Sequence, residues 1–568
     1  EREAYRGPAN RDVWVYDISA DEYTQLTDFD GNDYSPKWKD NNTLYYVTPQ
    51  SGRYNIHELS LDGNSSPITS ETEFGINSFD LSADGTIVYQ LADQVKILKA
   101  GSSVEVITID VASDIRFDQT VSKSINNSLE DFAVSPNGKY TAYITRGEVF
   151  VRMNDKEFNR SVRITDSPSR ERDIQWLNNE TLLFTSDRNG QYDIYTATSA
   201  DANEKDLFKS LKHKLTRITS TDEDESNLVI SPDQKKIAYQ QNRGKLLVAD
   251  ISSTGTLSNQ LTMQDGWDSP GGLSWSPDSK WLAYSLSDLN FNDEVFIQPA
   301  DKSKEPVNVT MHPKRDSNPT WSKDGSKLGF LSARNNGDVD IWFVWLKKED
   351  WEKTKLQRDW YPEDEGKDKK DSDKSKDKDE ESSSEPMIQI DFDKIYERLS
   401  QVTSFAGNES DFTFDKKGEF IYYTLGSAGR QDYEVERNLY KIKWDGSDNK
   451  ELAGGNLSPN GFTLDNDGKY VYIVSRGGKL ERIKTSDDKK ETLSTSSSVN
   501  IDYVAEHEQI FEEGWRALDQ GFYDPNFHGN DWKALKAKYK PLALKASTKE
   551  DFTYIYNQML GQLNSSHM

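Results

Sequence analysis

Chemistry at a protein site needs a group that moves a proton, attacks a carbon or holds a metal, and this sequence has few of each. Its 568 residues include six histidines and no cysteine. A thiolate nucleophile, disulfides and Cys-ligated zinc or iron–sulfur clusters are therefore excluded. His57, His213 and His312 are far apart and lack metal-ligand spacing. His507 lies on a helical stretch, and His528 sits in a Phe-His-Gly turn, where a structural hydrogen bond is the expected role. His567 differs, because it follows a helix and two serines, Ser565 and Ser566, although Ser-Ser-His by itself equally suits an exposed polar surface. The run Asp28-Phe29-Asp30-Gly31-Asn32-Asp33 resembles a calcium loop with its glycine misplaced for an EF-hand, and reads as a turn. There is no Gly-x-Ser-x-Gly elbow, no phosphate loop and no H-E-x-x-H. No cofactor or metal is expected.

The elements that must position these residues announce themselves by repetition. An apolar or aromatic residue, a turn rich in Asp, Asn or Gly, and a β-rich run recur along the chain. Val134-Ser135-Pro136-Asn137-Gly138, Ile230-Ser231-Pro232-Asp233, Trp275-Ser276-Pro277-Asp278, Trp321-Ser322-Lys323-Asp324-Gly325, Phe414-Asp415-Lys416-Lys417-Gly418 and Leu464-Asp465-Asn466-Asp467-Gly468 are examples, and Ile174-Gln175-Trp176 is a looser copy. Proline presets the turn, and Asp or Asn before Gly accepts positive φ. A third strand and often a Leu-Thr or Ile-Thr fourth strand follow, as at Leu26-Thr27, Ile164-Thr165 and Leu261-Thr262. Four strands every roughly 40–50 residues is the signature of β-propeller blades. A large β-sandwich is the alternative, but it does not hold so regular a period.

Counting copies divides the chain. Those near Trp38 and Leu81 follow a lone strand, Asp12-Val13-Trp14-Val15-Tyr16, so residues 1–118 read as part of a first propeller whose beginning is missing. Seven copies from Val134 to Leu464 make 119–500 a complete seven-bladed propeller. The charged run 363–385 contains no apolar residue and reads as a disordered loop. From Asp502 the period becomes helical. Val504, Phe511, Trp515 and Leu518 share a face, Trp532, Leu535 and Tyr539 form a second stripe ended by Pro541, and Ser547-Thr548-Lys549-Glu550 is a capping box for a third helix. Residues 501–568 are expected to be the helical start of a further domain, with the chain truncated at both ends.

Lys plus Arg number 70 against 97 Asp plus Glu, a formal net charge of −27. Such a chain repels nucleic acid and anionic lipid, and no apolar run approaches the ~20 residues of a membrane helix. Neither nucleic acid nor membrane is expected as a partner.

Taken together, GWRALDQGFYDPNFHGNDWKALKAKYKPLA, the closing GQLNSSHM, the opening AYRGPANRDVWVYDI and YTQLTDFDGNDYSPKW, and MIQIDFDKIYERLSQV resemble the tricorn protease family over essentially the whole chain. The resemblance implies a mainly β protein: a partial six-bladed β-propeller, a seven-bladed β-propeller and the helical start of a peptidase core. It implies a serine peptidase acting on short peptides released by an upstream processive protease. Homo-oligomers, hexamers by the family pattern, are implied in the cytoplasm, with the periplasm as the alternative. It makes His567 the general base and Ser566 the residue that orients it, with the nucleophile in later domains and this chain alone inactive. Competing readings are a non-enzymatic TolB-type propeller scaffold, a propeller-bearing prolyl oligopeptidase, whose Gly-x-Ser-x-Gly elbow would follow in an α/β pattern, and a tail-specific peptidase, which lacks twin propellers.

Overall fold

The computed structural model describes residues 3, 5–110, 112, 118–335, 337–360, 388–426 and 436–565. The insert expected at 363–385 and the Ser566-His567 pair lie outside the described residues. The chain divides into two compact units, one formed by residues 1–121 with 500–568 and the other by residues 122–499.

The second unit contains seven four-stranded antiparallel sheets, each built from four consecutive strands. Their first strands are Asp131–Val134, Glu171–Asn178, Glu225–Ile230, Gly271–Trp275, Asp316–Trp321, Asn408–Phe414 and Phe462–Leu464. They coincide with the seven sequence repeats. The turn chemistry explains the motif. Ser135, Ser231, Ser276 and Ser322 each accept, at Oγ, the backbone N–H five residues on, all at 2.9 Å. Asp415 and Asp465 replace the serine in the last two sheets, accepting from Phe420 N at 3.0 Å and Tyr470 N at 3.1 Å. The side chain thus closes each strand–turn–strand hairpin.

In the first two sheets the Thr that follows the fourth strand acts between sheets. Thr165 Oγ1 accepts from Val149 N at 2.9 Å and donates to Glu171 Oε2 at 3.2 Å. Thr219 Oγ1 accepts from Ile194 N and donates to Glu225 Oε2, both at 2.8 Å. Asp316 and Glu409, buried as well, lie six residues beyond Thr310 and Thr403, whose Oγ1 atoms accept from Val295 N and Ile341 N. At Thr165 and Thr219 one hydroxyl thus ties a sheet's third strand to the first strand of the next, whereas Thr310 donates to Glu294 of its own sheet. Apolar side chains fill the space between neighbouring sheets, as where Ile144 and Val151 meet Ile174, Trp176 and Phe184.

The last sheet meets the first. Ser128 N and Leu129 N donate to Gly477 O and Gly478 O, and Asn127 N donates to Thr495 O. Arg152, fully buried, spends its guanidinium on the carbonyls of Met153, Ser494, Asp155 and Phe158 at 2.5–3.2 Å. Burial lowers its pKa to about 10. Strand Thr120–Asn126 pairs with Ser496–Asp502. Two short helices, α1 (Lys348–Glu352) and α2 (Lys355–Trp360), follow the fifth sheet's third strand.

In the first unit, Trp14–Asp17 pairs with Glu22–Gln25, and two four-stranded sheets span 34–67 and 76–107. The strand expected to stand alone thus has a partner. The same Thr device recurs, with Thr27 Oγ1 accepting from Val13 N and Thr69 Oγ1 from Ile56 N, both at 2.9 Å. The run 28–33, read as a plain turn, ends in the first acid of this series: Asp33, six residues after Thr27, is buried, and burial raises its pKa.

Three helices complete this unit: α3 (Tyr503–Gly521), α4 (Trp532–Ala543) and α5 (Lys549–Gly561). Phe511, Trp515, Trp532, Leu535, Tyr539, Phe552, Met559 and Leu563 form their common core. Three expectations need correction. Val504 is 49% exposed because it lies in the first turn of α3, above that core. Pro541 does not end α4, which runs on to Ala543. Thr548, not Ser547, caps α5, its Oγ1 accepting from Asp551 N at 3.1 Å.

Candidate functional site

The first candidate is the helical module that leads into residues 566 and 567. Trp515 and Trp532 fix α3 against α4: their rings stack with centroids 6.2 Å apart, and each indole N–H donates to the other's carbonyl, at 3.1 and 3.2 Å. Lys540 Nζ reaches Glu508 and Glu512 at 2.7 Å. Between the helices, Phe527 and His528 adopt positive φ of 48° and 53°. Asp524 secures this turn by accepting from Asn526 N and His528 N at 3.0 and 2.8 Å, which holds its carboxyl below the usual range.

That turn delivers His528 to the end of α5. Its Nδ1 lies 2.6 Å from Leu563 O, and its Nε2 lies 2.5 Å from the Tyr523 hydroxyl. A carbonyl can only accept, so Nδ1 carries a proton and donates it to Leu563 O, while Nε2 shares a hydrogen bond with the Tyr523 hydroxyl. Asn530 Nδ2 donates to Gln562 O at 3.1 Å, and Arg53 Nη1, itself held by Glu3 at 2.7 Å, donates to Gln562 Oε1 at 2.6 Å. Asn564 then turns out of the helix with φ of 48°, a conformation Asn tolerates. The chain entering Ser566-His567 is therefore anchored at Gln562 and Leu563 by three side chains. The expectation of a structural hydrogen bond at His528 holds, and its partner is this anchor point. Asn530 and Arg53 carried no sequence signal, because their roles depend on contacts 32 and 509 residues away.

The same unit holds a cavity of about 420 Å³ lined by Glu3, Tyr34, Tyr54, Phe74, Tyr539 and Gln558, among others. Burial pushes Tyr539 up to about 12 and lowers Lys538, whose Nζ sits 4.1 Å from the centre of the Phe74 ring.

Among the described residues, His57, His213 and His507 do not form a catalytic constellation. His57 is buried between Ser51 Oγ, 2.9 Å from Nε2, and Ser65 Oγ, 3.1 Å from Nδ1. That resembles a serine–imidazole pair, but a hydroxyl stands where a triad places its acid, and burial lowers the imidazole pKa. His213 meets the carbonyl of Leu207, and His507 stacks on Phe552.

The second candidate is a cavity of about 760 Å³ in the second unit, lined by residues from all seven sheets. The second turn position of the repeat faces it in six of them: Pro136, Pro232, Pro277, Lys323, Lys416 and Asn466. In the second sheet Gln175 and Trp176 line it instead.

Sheets of four antiparallel strands ranged around one cavity define a β-propeller protein, here carrying a three-helix module. Comparison with known proteins makes the class specific. Residues 503–561, spanning α3 to α5, match the Tricorn protease C1 domain. The chain is 22% identical to the tricorn protease homolog of Saccharolobus solfataricus, covering 99% of this chain and 50% of the relative. It is 22% identical to the tricorn protease of Thermoplasma volcanium, covering 92% and 49%. A tricorn-like protease C-terminal subunit of Sulfurisphaera tokodaii is 23% identical over 92% of this chain and 58% of its own length. A crystal structure of the tricorn protease superposes with a TM-score of 0.77 at 15% identity, covering all of this chain and 53% of that one. The chain is thus similar to tricorn proteases and their homologues over nearly its whole length, and it spans about half the length of the relatives it matches.

Proposed function

We propose that this chain is the propeller and C1 portion of a serine peptidase that hydrolyses short peptides through an acyl-enzyme. The carrying observation is that the C1 match runs through residue 561, on helices whose end is anchored immediately before Ser566-His567. In this reading His567 is the general base. It takes the proton from a nucleophilic serine and returns it to the leaving amine, while Ser566 orients its ring. The nucleophile, the oxyanion donors and the acidic partner belong to the part of the relatives that this chain does not cover, so the 568 residues alone do not turn over peptide. The ring of sheets serves as a route for peptides, with a passage too narrow for a folded protein. The substrates are peptides released by an upstream processive protease, and the complete protein works as a homo-oligomer, a hexamer, in the cytoplasm. The test is a chromogenic short peptide offered to this chain and to the complete protein. Turnover by the complete protein alone is expected, and robust turnover by the 568 residues overturns the assignment.

A further inference from the structure

The second turn position, which faces the propeller cavity, is uncharged in four sheets, with proline at 136, 232 and 277 and asparagine at 466. The fifth and sixth sheets break that pattern, because Lys323 and Lys416 occupy the same turn position in adjacent sheets. Both side chains are exposed. Among the described residues, neither ammonium enters an ion pair or hydrogen bond. The acids around them are already engaged. Asp324 pairs with Lys327 at 3.5 Å, and Asp467 with Lys469 at 2.7 Å. Asp465, the one carboxylate lining the cavity, accepts from Lys469 N and Tyr470 N. Lys416 is also directed by its surroundings. Gly468 of the next sheet, at φ of 72°, leaves room for the lysine stem, and a Cβ there would lie 3.2 Å from Lys416 Cβ. The Lys323 ammonium is enclosed enough that desolvation lowers its pKa, although it stays open to the cavity. In a chain with a net charge of −27, two neighbouring unpaired cations inside one cavity are a local reversal of sign.

We infer that Lys323 and Lys416 form an anion site in the propeller cavity that captures the carboxylate of a short peptide. This rests on the peptide-handling reading above and deepens it, since it gives the cavity a preference. An ammonium in a walled cavity attracts a carboxylate more strongly than one on an open surface, because less water screens the pair. Two point charges without a guanidinium fork suit a carboxylate that arrives in varied orientations.

The experiment is calorimetric titration of the 568-residue chain at low salt with three peptides. These are acetyl-tetraalanine with a free C-terminus, its C-terminal amide, and the amide of acetyl-Ala-Glu-Ala-Ala. The free acid is expected to bind about tenfold more tightly than the plain amide. Binding of the glutamate peptide at the free-acid level would show that a side-chain carboxylate also serves, and failure to do so would assign the site to the chain terminus; either supports the site. K323Q and K416Q should each remove most of the preference, and the K323R/K416R double variant should keep it. Circular dichroism identical to that of the parent excludes misfolding. Equal affinity for acid and amide, no binding of any peptide, or a preference that survives both Gln substitutions overturns the inference. The peptidase reading is judged separately by turnover in the complete protein. A carboxylate preference without turnover would leave the site standing and remove the reading.

Discussion

At the scale of single residues, His528 pins the end of α5, and in the proposed reading that placement sets the position of His567. The His528 proton on Nδ1 holds Leu563 O, four residues before His567. H528A is expected to speed amide exchange across residues 561–565 by tenfold or more. In the complete protein it should lower kcat on short peptides while KM stays within about twofold, because a misplaced base weakens proton transfer and leaves binding intact. The buried acids of the propeller give a second residue-scale prediction. Burial pushes Glu409 up to about 8 and Glu171 up to about 7. A carboxyl whose folded pKa exceeds its unfolded value near 4.5 stabilises the fold below that value, and the contribution is lost as pH rises through the folded pKa. Stability of the second unit should therefore fall between about pH 4.5 and 8. E409Q should raise the unfolding free energy at pH 8 by on the order of 3 kcal/mol and by much less at pH 5, measured by urea denaturation. Sequence alone gave no sign of these acids. Glu171 and Glu409 look like ordinary charged residues until strand pairing places them beside Thr165 and Thr403.

At the scale of elements, legibility followed the range of the interaction. The Ser-Pro-Asn-Gly and Ser-Pro-Asp turns could be read because their hydrogen bonds span five residues. The helical stripes around Trp515, Trp532 and Phe552 could be read because α-helical periodicity is local. The Leu-Thr and Ile-Thr pairs were visible as a pattern, but their function was not, because the Thr hydroxyl joins a strand more than a dozen residues earlier to an acid six residues later. T219V is expected to destabilise the second unit by about 1–3 kcal/mol, since it strips a partner from Ile194 N and from buried Glu225 at once. A urea midpoint shift with an unchanged slope would check it, and no shift would remove the Thr from the account of sheet-to-sheet attachment. The differences at Pro541 and Thr548 are boundary effects of one or two residues, the usual uncertainty at helix ends.

At the scale of the whole molecule, the ring depends on contacts that no local pattern encodes. Arg152 joins the first sheet to Ser494, 342 residues away, and among the described residues its guanidinium bonds only to carbonyls and to no carboxylate. R152M leaves at least three carbonyls without their donor, and the unfolding free energy should drop by about 2–4 kcal/mol. The resemblance read from the 514–543 segment agrees with the C1 match over residues 503–561 and with the tricorn fold. Grouping of residues 500–568 with residues 1–121 in one compact unit was not legible, because the helical and strand patterns carry no information about which distant surface a helix meets. The measurement that bears most directly on the central claim is steady-state hydrolysis of a chromogenic short peptide by the complete protein and its H567A variant. If His567 is the general base, kcat should fall by about a thousandfold or more with KM little changed. An H567A protein that retains kcat within a factor of a few would contradict that role.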